Sequence, residues 1–225
     1  MKQVFTNGCS FSTNRKTANA RVDTFASRLV ADHYNVNSIQ YGRGGRGNRR
    51  ILITTKLFYE YEKERKKDTF AIIQWSGPGR KDYPALGSDT WLDLDTPWRT
   101  WVKHEQYEFY MSKKKYDDAL DDSFDTLNNI IDLQNYFEVN DIKYVMYFGL
   151  PQTFDLRTRD AQLFYEIVDW SKVYRGHHHN YMDHLTFCRD NNYQLEKGVD
   201  EHPSYEGHKI WAEGLIEFID NGKLL

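Results

Sequence analysis

The chain runs to 225 residues with a formal net charge of -3, and 40% of its residues are hydrophobic and 16% aromatic. That length suits one domain with a full core over 1–225, and a near-balanced charge without a basic tail or stripe argues against a nucleic-acid partner. The two cysteines, Cys9 and Cys188, build no disulfide framework and fit no zinc spacing.

No apolar stretch approaches the ~20 residues that a membrane helix needs. The polar run at 7–21 stands where a signal peptide would carry its apolar segment. The expectation is a soluble, cytoplasmic protein made in a reducing compartment, with no membrane contact. Sixteen Tyr and six Trp imply either a rich aromatic core or an aromatic-lined binding surface.

In chain order, Val4 and Phe5 lie in a short strand that Gly8 ends, and a hydroxyl follows at Ser10. A serine on a sharp turn after a buried strand has its Oγ held in the open, as nucleophilic chemistry requires. The alternative is an ordinary strand-to-helix turn with serine as a cap. Residues 11–19 read as an exposed loop. Thr24 reads as the cap of a helix with Phe25, Ala26, Leu29 and Val30 on one stripe, and Val36 to Tyr41 reads as the second strand.

Four glycines then fall between 42 and 47. They permit positive φ and a close backbone approach to a ligand. Arg43, Arg46, Arg49 and Arg50 form an anion site or are simply solvated. The loop lacks the Gly-Lys-Ser/Thr ending of a phosphate loop and follows the wrong strand for a dinucleotide fingerprint. A helix follows from Ile51 to about Lys66. Thr69 to Trp75 is almost continuously apolar, which suits a parallel strand buried on both faces, and Ser76-Gly77-Pro78-Gly79 ends it.

Residues 80–115 interleave Trp91, Trp98, Trp101, Tyr107, Phe109 and Tyr110 with charges. A segment this long leaving the end of a central strand is a lid or pocket wall, or else a packed surface subdomain. Asp117 to Glu138 carries a helical pattern, Lys143 to Gly149 a strand, and Ala161 to Trp170 a helix. Between 171 and 197 the chain reads as loop. His177-His178-His179 is set aside as a metal site, because adjacent side chains point in different directions. Ser204 reads as the N-cap of a closing helix with Ile210, Trp211, Leu215, Phe218 and Ile219 on its apolar face. Alternating strands and helices imply a parallel sheet with helices on both faces. Ser10, the glycine loop, Ser76-Gly77 and His202 then gather at its carboxyl edge.

On these residues the chain resembles the SGNH (GDSL-type) hydrolases. Gly8-Cys9-Ser10-Phe11-Ser12 is similar to their first block. Residues 37–48, ending Gly45-Arg46-Gly47-Asn48, resemble the second, and Asp200-Glu201-His202-Pro203-Ser204 resembles the last. The resemblance implies an α/β protein, a three-layer α/β/α sandwich with a mainly parallel, flavodoxin-like sheet, and a serine esterase that needs no cofactor. It assigns Ser10 as nucleophile, His202 as base and Asp200 as the acid behind it. It places Ser10 and Gly45 backbone N–H groups in an oxyanion hole.

The chain departs from the family pattern at three places. Cys9 replaces the aspartate of the first block. The acid stands two residues before His202 rather than three, with Val199 at the usual position. The third block, Gln74-Trp75-Ser76-Gly77-Pro78, has no asparagine, which leaves Asn48 or Ser76 to substitute. Arg80, Trp91 and Trp98 are read as substrate-binding. The substrate class is an acyl or acetyl ester, with a carbohydrate alcohol favoured by the aromatic segment. The competing reading is an impaired SGNH-like domain that binds a glycan or a protein partner.

Overall fold

The computed structural model describes residues 1–13, 15–16, 21–22, 24–78, 80, 119–152, 154–176, 183–196 and 200–225. Most of the aromatic segment, including Trp91 and Trp98, and the three consecutive histidines at 177–179 lie outside the described residues.

The fold follows from central strands that are buried on both faces. In β1 (Gln3–Asn7), Val4 packs with Ala26, Val30, Phe70, Ile72 and Trp211, while Phe5 packs with Ile51, Phe58, Tyr59, Ala71 and Ile73. Successive strand residues point to opposite faces, so both faces must be covered. Two short strands, β2 (Arg15–Lys16) and β3 (Arg21–Val22), form an antiparallel pair. The main sheet adds β4 (Asn37–Gln40), β5 (Thr69–Trp75), β6 (Tyr144–Phe148) and β7 (Val173–Tyr174) to β1. Its order is β4-β1-β5-β6-β7, and every pairing is parallel. All seven residues of β5 are buried.

Helices α1 (Ala26–His33), α2 (Asn48–Tyr61), α3 (Ala119–Val139), α4 (Arg159–Ile167), α5 (His184–Asp190) and α6 (Tyr205–Gly222) cover this sheet. The Val4 face takes α1, α5 and α6 through Ala26, Val30, Phe187, Trp211 and Leu215. The Phe5 face takes α2 and α3 through Ile51, Phe58, Leu127, Ile130 and Phe137. This is the expected three-layer α/β/α sandwich with a flavodoxin-like strand order. The chain runs from β1 out to β4 and then back to β5 on the other side of β1. That reversal opens a crevice at the carboxyl ends of these strands, where open α/β sheets build sites. Residues 8–12, 41–47 and 76–80 all leave the sheet there.

Several elements differ from the sequence reading. The stretch at 171–197 is not loop alone: it holds β7, α5 and β8 (Gln194–Glu196), and β8 pairs antiparallel with β9 (Asp200–Pro203). Elements of two to seven residues are too short to display a period. Residues 10–12 form a 3₁₀ turn rather than an exposed loop, with Phe11 and Ser12 buried. α1 has Phe25 at its N-cap position with no side-chain cap bond, so Thr24 is not the cap. The Ala26 N–H instead donates to His208 Nδ1 at 3.2 Å. Ser204 does cap α6, accepting from the Gly207 N–H at 3.2 Å. Cys9 and Cys188 are free and buried. No described helix is long and apolar enough to cross a membrane.

Between α1, α5 and α6 lie two buried histidines. His184 stacks on Trp211, with centroids 4.6 Å apart and planes 14° apart, and its Nε2–H donates to the Gly207 carbonyl at 3.2 Å. His208 lies 5.1 Å from the His184 ring. Burial holds both in the neutral form. It lowers His184 to about 3 and His208 well below the usual value, and the nearby His184 and His202 rings make a proton on His208 less favourable still. The unfolded chain would bind these protons near pH 6.5, and the folded chain refuses them. Stability from this source is therefore full above about pH 6.5 and falls as pH drops toward the folded values, by about 1.4 kcal/mol per pH unit for each histidine. We expect His184→Gln, which keeps a donor for Gly207, to flatten the fall in urea midpoint between pH 7 and pH 4.5. An unchanged slope would remove His184 as a cause of acid sensitivity.

Candidate active site

Ser10 opens the 3₁₀ turn directly after β1 and is 7% exposed. His202 lies on β9, in the β8–β9 hairpin, 192 residues further along. The two meet across the carboxyl edge of the sheet: His202 Nε2 stands 2.7 Å from Ser10 Oγ. On the other side of the ring, His202 Nδ1 stands 2.5 Å from Asp200 Oδ1. The same carboxylate oxygen accepts the His202 backbone N–H at 3.0 Å. With Nδ1–H donated to the carboxylate, Nε2 carries the lone pair and accepts the Ser10 hydroxyl proton. Phe11 packs beside the imidazole, with ring centroids 4.9 Å apart.

The two-residue spacing of acid and base has a local cause. In a strand, residues i and i+2 share a face. Asp200 and His202 are i and i+2 on β9, so both side chains turn the same way toward Ser10. The hairpin is tied down by Ser204 N–H donating to the Tyr193 carbonyl at 2.7 Å and by the exposed Arg189–Glu201 pair at 2.7 Å.

The turn that carries Ser10 is held from two sides by carboxamides. Asn7, fully buried at the end of β1, accepts the Gly8 N–H at 2.9 Å and donates to Ile51 O, Thr54 Oγ1 and Thr55 Oγ1. Gln74 Oε1, on β5, accepts the Cys9 N–H and the Ser12 hydroxyl, each at 3.1 Å. The glycine loop is stitched to this turn by Tyr41 N–H on Thr6 O at 2.8 Å and Arg43 N–H on Gly8 O at 3.1 Å. It runs beside Ser10 at Gly44, where a β-carbon would stand 3.9 Å from Ser10 Cβ. Gly45 follows at φ 77°, in the left-handed region that favours glycine.

The remaining sequence candidates fall as follows. Asn48, the first residue of α2, accepts the Ser76 N–H at 2.7 Å and donates to Thr126 Oγ1 at 3.2 Å. Its carboxamide thus anchors the exit of β5 to α2 and α3. Ser76 is fully buried, and its Oγ has no hydrogen-bond partner among the described residues. Arg80 begins the segment that leaves β5, its N–H on Gly77 O at 3.1 Å, and its Nη1 is buried with no partner among the described residues. Arg46 is neither solvated nor an anion ligand. It is 2% exposed and donates to Asn7 Oδ1 at 2.8 Å and Tyr41 O at 2.5 Å, because a charge buried beside β1 must be matched by acceptors. Among the described residues no group of three or more His, Cys, Asp or Glu is arranged to hold a metal.

Sequence reasoning missed Asn7, Gln74 and Gly44. Asn7 and Gln74 are polar residues inside apolar strands, and that interruption is the one signal that marks them.

No protein-family model matches the chain, and no curated protein matches it. Among solved structures, the chain is similar to the psychrotrophic esterase EstA from Pseudoalteromonas sp., at 9% identity over 98% of each chain with a TM-score of 0.52. It is also similar to a catalytic mutant of Axe2, an acetylxylan esterase from Geobacillus stearothermophilus, at 14% identity over 97% of this chain and 94% of that one, with a TM-score of 0.50. At such identities the likeness is one of fold, and the chain shares its three-layer α/β/α fold with these two esterases.

Proposed function

We propose that this protein is a serine ester hydrolase of the SGNH type, working through an acyl-enzyme on Ser10. The observation that carries the reading is the continuous relay from Ser10 Oγ to His202 Nε2, and from His202 Nδ1 to Asp200, at 2.7 and 2.5 Å. Ser10 Oγ attacks the ester carbonyl while His202 Nε2 takes its proton. His202 then passes that proton to the departing alcohol oxygen as the carbonyl reforms, leaving the acyl group on Ser10. Water, deprotonated by His202, attacks the acyl-enzyme and releases the acid. Asp200 keeps the imidazole in the working tautomer and stabilises the imidazolium.

The Ser10 backbone N–H leads the oxyanion donors, as an N–H at the start of a turn has no partner within it. Gly45 N–H joins it, from the loop that Gly44 brings alongside Ser10. Asn48 contributes by holding the Ser76 N–H, and so the exit of β5, in place. Arg80, Trp91 and Trp98 form the substrate side, and the alcohol is an O-acyl or O-acetyl carbohydrate. Two things support the sugar: the aromatic composition of the 80–115 segment and the fold shared with an acetylxylan esterase.

Hydrolysis of p-nitrophenyl acetate tests the relay. Ser10→Ala and His202→Ala should each lose roughly three orders of magnitude or more in kcat, and Asp200→Asn a comparable amount, because its amide favours the wrong tautomer. Rates equal to the parent in Ser10→Ala would exclude Ser10 as nucleophile. A parent protein inactive on this ester and on acetylated sugars, yet binding them, would favour an impaired glycan-binding domain. For the substrate side, Trp91→Ala and Trp98→Ala should raise KM for acetylated xylooligosaccharide while leaving kcat on p-nitrophenyl acetate unchanged. An unchanged KM in both variants would remove these two residues from the sugar site.

A further inference from the structure

Gln74 is a polar side chain, fully buried, next to the last residue of the largely apolar strand β5. Its carboxamide is bound at both ends. Oε1 accepts the Cys9 N–H and the Ser12 hydroxyl at 3.1 Å each, which are the residues immediately before and two after Ser10. Nε2 donates to the Trp75 carbonyl at 2.6 Å and lies 3.3 Å from Cys9 Sγ. Two glycines make room for it. A β-carbon at Gly8 would sit 2.7 Å from Gln74 Oε1, and one at Gly149 would sit 2.6 Å from its Cδ. Neither distance is one that real β-carbons show, so any side chain at either position would displace the carboxamide. Gly149 is itself fixed, its N–H donating to Trp75 O at 2.9 Å.

We propose that Gln74 is a positioning residue for the esterase reaction: its carbonyl oxygen clamps the turn on both sides of Ser10, aiming the Ser10 N–H and Oγ together at one ester carbonyl. The inference rests on the esterase reading and goes beyond it, since neither the relay nor the glycine loop requires a residue at this position. A chain whose third block lacks an asparagine depends more on the orientation of its backbone donors. Gln74 supplies that orientation from β5, the strand beside β1. The ionisable side chains around it are the Cys9 thiol, the Tyr147 phenol of β6, which burial raises above its ordinary value, and, through Ser10, the His202 imidazole.

The test uses kcat and KM for p-nitrophenyl acetate across pH, with thermal melting to establish folding. Gln74→Met removes both polar ends at similar length. It should lower kcat roughly 10- to 100-fold with KM within about twofold of the parent, as expected for a small misorientation of reacting groups. Gly149→Ala should reproduce that loss without altering Gln74. Gln74→Glu supplies a readout that a purely structural role would not move. Its protonated carboxyl is shaped like the carboxamide, accepting from Cys9 and donating to Trp75. Once ionised, it repels the Trp75 carbonyl and sets a negative charge beneath the forming oxyanion. The pH profile of kcat in Gln74→Glu should therefore gain a descending limb absent from the parent. A residue that only supports the fold would lower the rate by one factor at every pH.

Parent-like kcat in a folded Gln74→Met overturns the proposal. A Gln74→Glu profile parallel to the parent overturns it as well, including where Gln74→Met does not fold. Ser10→Ala separates the two levels: if it is dead while Gln74→Met is unaffected, only the role of Gln74 fails. If Ser10→Ala is as active as the parent, the esterase reading fails with it.

Discussion

Ser10 and His202 are 192 residues apart in sequence, and a 2.7 Å contact between them requires the two ends of the chain to converge at one edge of one sheet. β1 sits inside the sheet, paired on both sides, so the turn after it opens into the crevice where the strand order reverses. The C-terminal end reaches the same place because α6 lies against α1 on the Val4 face. Trp211, Leu215 and Ile219 fill the space over Val4 and Val30. One hydrogen bond joins these helices at the site end, from Ala26 N–H to His208 Nδ1. The bond exists only while His208 is neutral, which burial ensures. The position of His202 thus depends on a core contact beyond its own hairpin.

The buried polar groups around the site have a common logic. Apolar residues drive the sheet together without direction. They cannot by themselves fix a turn of three residues to the tolerance that chemistry needs. Asn7 and Gln74 do this with directional bonds, at the cost of desolvation that only full pairing offsets. Asn7 uses both ends of its amide, tying Gly8 to α2 and to the buried Arg46. Arg46 in turn binds Tyr41 O just past β4, so the same side chain links the start of the glycine loop to the end of β1. Asn48 does the same for the exit of β5. Three loops that leave three different strands are locked to each other by amide side chains at strand ends and helix starts.

The β9 hairpin shows how local geometry answers a departure in spacing. An acid two residues before the histidine is at first sight misplaced against the family pattern. Strand periodicity makes it competent, because alternate residues share a face. The spacing is informative only once the segment is known to be a strand. Nothing at 194–203 displays that in the sequence, since strands of three and four residues are shorter than the pattern needed to recognise them.

Much of the architecture was legible without coordinates. Thr69 to Trp75 read as a buried parallel strand because it is almost continuously apolar, Lys143 to Gly149 read as a further strand, and both were found within a residue of the expected limits. The Ser204 cap was legible from the residue type and its place before an apolar stripe. Ser10, Asp200 and His202 were singled out from their blocks, and the structure brings the three side chains within hydrogen-bond distance. The errors have physical sources. Short elements carry no period, so β7 and α5 were read as loop. Phe11 and Ser12 were assigned to solvent on polar company, yet the turn folds back beneath β9. Arg46 was read from its charge, and its burial follows from acceptors that lie elsewhere in the chain.

What the sequence determined by itself was the alternation of strand and helix, the two-sided burial of the central strands and a short set of candidate polar residues, since each of these is a property of local pattern and residue type. Tertiary structure alone decided which groups meet, that Gln74 binds the turn around Ser10, and that Gly44 runs beside Ser10. These are contacts between residues tens to hundreds of positions apart, and no local pattern of side chains encodes the distance between them.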